Sequence, residues 1–230
     1  MIKLLRKILK KAKRDVLSPA PWDNLRRLKP LSTSFGFDRG TPVDRYYIES
    51  FLEKNRADIK GSVLEIAESS YSKHFGTNVT SFEVLHVQEG RQVTIVGDLT
   101  NKASLPADNI DCFICTQTFN FIYDFKTAIE GAYHLLKPGG VLLATLAGAT
   151  QISAYDAQRW GDYWRFTSQS AAKVFGEVFG EDNITITSYG NVLTCTAILQ
   201  GMAVEDLTKE ELEYQDPVYP IIIAVRAVKR

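Results

Sequence analysis

The sequence predicts an α/β fold in which a mostly parallel sheet is covered by helices on both faces. Apolar, β-rich runs recur at SVLEIA, TNVTSFEV, QVTIVGD, IDCFICTQ and GVLLATLAG, and helix-compatible segments lie between some of them. The order of strand, crossover and strand is typical of parallel sheets. Two later runs, NITITSYGNVLTCTAILQGM and YPIIIAVRAVKR, predict a final hairpin-like pair of strands.

Length and composition indicate one domain with a short extension. The chain has 230 residues, 45% of them hydrophobic, with 27 basic and 27 acidic side chains. Balanced charge argues against a general nucleic-acid binder. Three cysteines do not form a disulfide framework, and no apolar run is long enough to span a bilayer, so we expect a cytoplasmic protein. We expect the domain to occupy residues 31–230, after a segment at residues 1–30.

The first 15 residues predict a short basic amphipathic helix. Ile2, Leu5, Ile8 and Leu9 form one stripe, and lysines and arginines surround it. Such a helix could contact an anionic membrane surface or a partner protein. A frayed basic terminus without a partner is the alternative.

A resemblance to a known family rests on the central part of the chain. VLEIAESSYSKHFG, followed by a strand, a polar corner, a helix and LLKPGG, resembles the class I S-adenosylmethionine-dependent methyltransferases. This resemblance implies a Rossmann-like, mostly parallel seven-stranded sheet with an antiparallel C-terminal strand, and S-adenosylmethionine as the cofactor. SFGFDRGTPVDRYYIESFL and WGDYWRFT further resemble methyltransferase domains of glycan-assembly gene clusters, which implies a carbohydrate acceptor and a glycosyltransferase partner.

Polar residues at predicted strand ends are the candidates for cofactor binding, because ligands of open parallel sheets bind beyond the carboxyl ends of the strands. We expect Glu65 to hold the cofactor's ammonium group and Glu83 to hold its ribose hydroxyls. Asp98 and Leu99 would contact the adenine. The remaining candidates flank these strand ends and are Val84, Thr116 and Gln117.

The loop after the first strand departs from the family pattern. Glycine normally lets the backbone turn tightly and approach the cofactor here, but this chain has Ala67, Glu68, Ser69, Ser70 and Tyr71. In one interpretation the loop still binds, with Ala67 allowing the approach and Tyr71 packing over the cofactor. In the other the fold has lost its cofactor site.

The segment YDAQRWGDYWRFT predicts the acceptor side of the site. Aromatic faces and charged groups together suit a carbohydrate, and Asp162 is the first candidate for a general base, with His86 as another. The candidates for acceptor binding in this segment are Tyr155, Arg159, Trp160, Tyr163, Trp164 and Arg165, although Trp160, Trp164 and Phe166 could simply anchor the loop. Arg39 and Tyr46 lie in a dense N-terminal segment that could close over a ligand or form a structural ion pair.

No metal is expected. Cys112 and Cys115 have a C-x-x-C spacing, but residues three apart on a strand point to opposite faces of the sheet. We therefore interpret both as core residues.

The favoured function is O-methylation of a sugar hydroxyl on a glycan or glycolipid precursor. Methylation of a small natural product and a non-catalytic scaffold that retains the fold are the alternatives. An NAD-type dinucleotide-binding protein is disfavoured because G-x-G-x-x-G is absent.

Overall fold

The computed structural model describes residues 26–230, and Leu31–Arg230 form one compact unit. The unit contains one seven-stranded sheet and flanking helices. The strands are β1 (Gly61–Ile66), β2 (Val79–His86), β3 (Ile95–Val96), β4 (Ile110–Thr116), β5 (Leu136–Ala147), β6 (Ile184–Tyr189) and β7 (Ile222–Val228). The helices are α1 (Val43–Lys54), α2 (Ser70–Phe75), α3 (Phe125–Leu135), α4 (Ala154–Ala157), α5 (Ser168–Phe179), α6 (Val192–Gln200) and α7 (Lys209–Glu213).

The strand order confirms the predicted fold class. It runs β3-β2-β1-β4-β5-β7-β6, with β1 to β5 parallel and β7 antiparallel to both β5 and β6. The chain therefore winds outward twice from β1, first through β2 and β3 and then through β4 and β5. This is the Rossmann-like arrangement that the resemblance implied, and it agrees with the parallel sheet that the alternating pattern predicted.

The sheet separates two hydrophobic clusters, and each cluster contains one of the two cysteines of β4. Cys112 packs in the cluster with α1, whereas Cys115 packs in the cluster with α3 and α5. Side chains three positions apart on a strand point to opposite faces, so the predicted separation of the two thiols is confirmed. Burial raises the pKa of Cys115 to about 12 and raises that of Cys112 as well, and both thiols are core groups.

The predicted strand run from Asn183 to Met202 is only partly correct. Its first half forms β6, which pairs with β7 as expected, but its second half forms helix α6. Asn191 explains the change, because its side chain accepts hydrogen bonds from the backbone N–H groups of Leu193 and Thr194. This N-cap starts a helix in a stretch whose β-branched residues favour a strand.

The first segment of the chain lies outside the described residues. The predicted basic helix, its membrane contact and its partner contact all fall within residues 1–15, so these remain predictions. In residues 26–230 we find no helix with the length and apolar character needed to cross a membrane.

Candidate active site

A cavity of about 260 Å³ opens beyond the carboxyl ends of the central strands. Its walls come from the N-terminal segment and α1, from the loop after β1, and from the segments that follow β4 and β5. In this sheet the order reverses between β1 and β4, and ligands of open α/β sheets bind at that reversal. The residues that line the cavity include Phe37, Asp44, Arg45, Glu68, Tyr71, Thr116, Gln117, Asn120, Ser153, Asp156, Asp162 and Arg165.

The loop after β1 makes the tight turn although it contains no glycine. Ala67 has a φ of 65°, in the left-handed region that glycine normally occupies. Its N–H donates to the carbonyl of Leu85 at 3.1 Å, which fixes the turn against β2. Alanine has the smallest side chain that can adopt this conformation, and Ala67 is exposed, so its methyl group meets no packed neighbour.

The strain at Ala67 gives a first prediction. Ala67→Gly should raise the free energy of unfolding by about 0.5 to 1 kcal/mol, because a left-handed conformation costs an L-residue more than glycine loses in chain entropy. Urea unfolding measures the difference. Ala107→Gly is the matched control, since Ala107 is exposed and has a negative φ, and it should be slightly destabilising. A loss of stability in Ala67→Gly would show that the left-handed backbone at Ala67 is not strained.

Glu65 has a structural role that the sequence did not predict. Its side chain is 3% exposed and its oxygens accept hydrogen bonds from the N–H of Tyr71 at 3.1 Å, the N–H of Ser72 at 2.7 Å and the hydroxyl of Ser72. These N–H groups belong to the first turn of α2, where Ser69 makes no side-chain cap. Burial raises the pKa of Glu65 and these hydrogen bonds oppose the rise. Glu65 therefore caps α2 and holds the loop in place, and its oxygens are already partnered.

The expected position of Glu83 at the end of β2 is wrong. The strand continues to His86, and Glu83 pairs with Leu64 in the middle of the sheet. Val84 pairs with Glu65 and is 2% exposed, so it is a buried strand residue. The apolar residues Val84 and Leu85 continue the strand beyond Glu83, and the first carboxylate after β2 is Glu89.

Asp98 and Leu99 follow β3, which ends at Val96. Asp98 is exposed, and its Oδ1 accepts from the N–H and the hydroxyl of Thr100, both at 2.8 Å. Leu99 is 4% exposed and packs in the hydrophobic core. Its side chain is therefore engaged in packing, whereas Asp98 keeps a carboxylate oxygen at the surface.

Thr116 and Gln117 end β4 and line the cavity, in the expected position. Gln117 has a φ of 48°, and its N–H donates to the carbonyl of Thr145 at 2.9 Å. Tyr71 lies on the opposite wall, where the Arg45 guanidinium donates to its hydroxyl at 2.9 Å. Burial raises the pKa of Tyr71 to about 12, so it stays a neutral phenol. Arg45 also stacks 5.7 Å from the ring centroids of Phe37 and Tyr71, which joins the N-terminal segment to the loop after β1.

Asp162 lines the cavity but has no free oxygen for a base. Its side chain is 1% exposed, and Arg165 donates to both of its oxygens, at 2.5 and 2.9 Å. The N–H of Ser153 donates a further hydrogen bond at 2.9 Å. Burial acts to raise the pKa of Asp162, but these donors outweigh it and hold the pKa below its usual value. Such a carboxylate resists protonation, so the geometry points to a structural ion pair.

The aromatic segment after β5 divides into anchors and exposed rings. Trp164 packs against the core and donates from its indole nitrogen to the carbonyl of Tyr123, and Phe166 is 6% exposed. Tyr155, Trp160 and Tyr163 keep 65%, 42% and 50% of their surface exposed. Anchoring is thus confirmed for Trp164 and Phe166, while the other three rings remain available to a ligand.

Arg159 and His86 contact the exposed rings but do not line the cavity. The guanidinium of Arg159 stacks on Tyr155 at 3.4 Å from the ring centroid. His86 meets Trp160 edge to face at 5.7 Å, and its Nδ1 accepts from the N–H of Gln88. His86 ends β2, so the aromatic segment after β5 lies next to the carboxyl end of β2.

Arg39 and Tyr46 have structural partners. Arg39 forms a two-pronged ion pair with Asp206, with contacts of 2.8 and 3.1 Å. Tyr46 packs beside the core and meets Tyr47 edge to face. The expected ligand contact of Arg39 is therefore replaced by the structural ion pair, which fixes the N-terminal segment to the C-terminal part of the domain.

One cavity residue, Asn120, has no counterpart among the sequence predictions. It lies in the short 3₁₀ turn Phe119–Phe121 after β4. The rule that ligands bind beyond strand ends would have included Asn120 if it had been extended by three residues. Asp44 is the second residue of α1 and also lines the cavity. It belongs to the N-terminal segment that was expected to close over a ligand, although no specific role was predicted for it.

Comparison with known proteins gives one family match. Residues 57–144 match the model described as a methyltransferase domain. No curated protein sequence matches the chain.

Solved structures of low identity share the fold. The N-methyltransferase NodS from Bradyrhizobium japonicum, in complex with S-adenosyl-L-homocysteine, has a TM-score of 0.52 and 13% identity over 87% of this chain and 94% of its own. An S-adenosylmethionine-dependent methyltransferase from Archaeoglobus fulgidus has a TM-score of 0.51 and 13% identity, over 80% and 94% of the two chains. At this identity the likeness concerns the fold.

The cavity fits the cofactor that this domain implies. It lies where the strand order reverses, the loop after β1 adopts the glycine-type turn, and Tyr71, Thr116 and Gln117 line the cavity at that point. The match of residues 57–144 to a methyltransferase domain, the shared fold and this cavity together indicate a methyltransferase with S-adenosylmethionine as its cofactor.

Proposed function

We propose that the protein methylates a sugar hydroxyl of a glycan or glycolipid precursor. The observation that carries this proposal is that the segment after β5 carries both exposed aromatic rings and residues that line the cavity. Tyr155 and Tyr163 are exposed on the segment whose Ser153 and Asp156 line the cavity. Aromatic faces stack on the C–H faces of a sugar, and carboxylates accept hydrogen bonds from its hydroxyls.

We infer that Asp44, rather than Asp162, is the general base. Asp44 lines the cavity, and its Oδ1 accepts from the N–H of Arg45 at 2.9 Å, while its Oδ2 has no hydrogen-bond partner among residues 26–230. Burial raises its pKa, and the neighbouring Arg45 only partly opposes this. A carboxylate with a free oxygen and a raised pKa accepts a proton from a hydroxyl more readily than the ion-paired Asp162, whose pKa is lowered.

Methyl transfer requires few catalytic groups besides this base. Bound S-adenosylmethionine would supply a methyl group on a sulfonium sulfur, so that the methyl group passes to the acceptor oxygen and S-adenosylhomocysteine leaves. The residues of this chain orient the acceptor, exclude water and take up its proton. Phe37 and Arg45 close the N-terminal side of the cavity over Tyr71 and thereby support water exclusion.

Methylation of an amine is the second candidate. Three cavity carboxylates, Asp44, Glu68 and Asp156, form no ion pair with any side chain in the described part of the protein. Such a surplus of negative charge attracts a cationic acceptor. The same groups hydrogen-bond sugar hydroxyls, so the acceptor class needs a direct measurement.

The test is methyl transfer from tritium-labelled S-adenosylmethionine to two sets of probes. One set contains methyl α-glucopyranoside and methyl α-rhamnopyranoside, and the other contains glucosamine and putrescine. Label in the methyl glycosides, stable to acid and recovered as an O-methyl sugar, is the expected result. If label appeared only on nitrogen, the acceptor would be an amine and not a sugar hydroxyl. S-adenosylhomocysteine binding without transfer to any probe would contradict the sugar proposal.

A further inference from the structure

Asn120 carries a buried polar atom that no group in the described part of the protein satisfies. The residue is 2% exposed, and its Oδ1 has no hydrogen-bond partner in residues 26–230. An unpaired buried amide oxygen costs about 1 to 3 kcal/mol. Native structures therefore pair nearly all such atoms, and the missing partner needs an explanation.

The backbone of Asn120 holds the residue where it is. Its carbonyl accepts hydrogen bonds from the N–H of Tyr163 at 2.9 Å and from the N–H of Trp164 at 3.2 Å. The 3₁₀ turn that contains it packs between β4 and the aromatic segment, with Phe119 fully buried beside it. Because these contacts hold the main chain of Asn120 beside the cavity, relief of the unpaired oxygen must come from rotation of the side chain or from a partner that reaches it.

The cavity is the source from which a partner can come. Asn120 lines it together with Gln117, Tyr71 and Glu68. The second unpaired amide oxygen in the described residues belongs to Gln200, which does not line this cavity. The position of Asn120 four residues after the end of β4 places it at the reversal of strand order, where the cofactor binds.

We infer that the side-chain oxygen of Asn120 accepts a hydrogen bond from the ammonium group of the bound cofactor. Two observations favour an ammonium over a neutral donor. The carboxylate of Glu65, which the sequence analysis assigned to this group, is already used by α2. The cavity also contains the carboxylates of Glu68 and Asp44 without an ion pair, and their charge favours a cation nearby.

The inference depends on S-adenosylmethionine being the cofactor and is independent of the acceptor. It can be tested by calorimetry with two probes, S-adenosylhomocysteine and 5′-deoxy-5′-methylthioadenosine, because only the first contains the amino-acid part. Asn120→Leu should weaken S-adenosylhomocysteine binding at least about tenfold, as expected for the loss of a hydrogen bond to a charged group. Binding of methylthioadenosine should stay within about twofold of the wild type.

Two further variants separate ligand binding from packing. Asn120→Asp keeps an acceptor oxygen and adds a negative charge, so it should bind S-adenosylhomocysteine at least as tightly as the wild type. Gln200→Leu removes the other unpaired amide and should leave both affinities unchanged. Unchanged S-adenosylhomocysteine binding in Asn120→Leu, or an equal loss for both probes, would overturn the inference. Failure of the wild type to bind either probe would instead overturn the cofactor assignment, and this inference with it.

Discussion

Asp44→Asn is expected to lower kcat by about two to four orders of magnitude, the usual contribution of a general base. Asparagine has almost the same shape, but its amide cannot accept the proton of an acceptor hydroxyl. Within residues 26–230, Asp44 forms no salt bridge and accepts only the hydrogen bond from the N–H of Arg45, which the amide oxygen can also accept. The free energy of unfolding should therefore change little.

The pH dependence of the wild type provides a second measurement of the same group. Because burial raises the pKa of Asp44, the acid limb of kcat/KM should lie above about 4, the ordinary range of a carboxyl group. Activity should rise with pH through that limb, since only the ionised form accepts a proton. The charged groups that share the cavity with Asp44 are Arg45, Glu68, Asp156 and the pair of Asp162 and Arg165.

Glu53→Gln is the matched control for Asp44→Asn. Glu53 lies on the same helix, and its side chain is 56% exposed and outside the cavity. This variant should keep both the rate and the acid limb of the wild type. If Asp44→Asn retained more than about a tenth of the wild-type kcat, Asp44 would lose the role of base.

The sequence predicted the fold more accurately than the positions of the functional atoms. Alternation of apolar runs with helical segments determines a doubly wound sheet, and an error of two or three residues at a strand end does not change that order. The same error moves a side chain from the cavity to the middle of the sheet, as for Glu83. Thr116 and Gln117 were placed correctly because β4 ends sharply at a polar corner.

Other features of the site depend on contacts between distant parts of the chain. Glu65 was identified as important from its position, but its task as the cap of α2 follows from Ser72, seven residues away. Asp44 reaches the cavity because α1 packs against the sheet, and Asp162 is saturated because Arg165 folds back on it. No local pattern contains this information, so candidate residue types were found more easily than their roles.

Arg165→Met is expected to lower the free energy of unfolding by about 3 kcal/mol, because it leaves the Asp162 carboxylate buried without its partner. Methionine preserves much of the length of the side chain but donates no hydrogen bond. Arg165 also donates to the carbonyl of Gln151 at 2.7 Å, so its loss should loosen the segment that carries Ser153 and Asp156. Urea unfolding at neutral pH measures the first effect, and proteolysis of this segment measures the second.

The difference between wild type and Arg165→Met should depend on pH. The folded-state pKa of Asp162 is lowered, so its ion pair contributes fully above about 4, where the unfolded carboxyl is ionised, and the contribution is lost as the pH falls through the lower folded-state value. Arg159→Met is the control, because Arg159 belongs to the same segment but pairs with no carboxylate in the described residues. An equal loss of stability in both variants, or a difference that persists in acid, would show that packing rather than charge pairing holds the segment. The expected result would confirm that Asp162 supports the cavity wall and leave Asp44 as the carboxylate free to act on the acceptor.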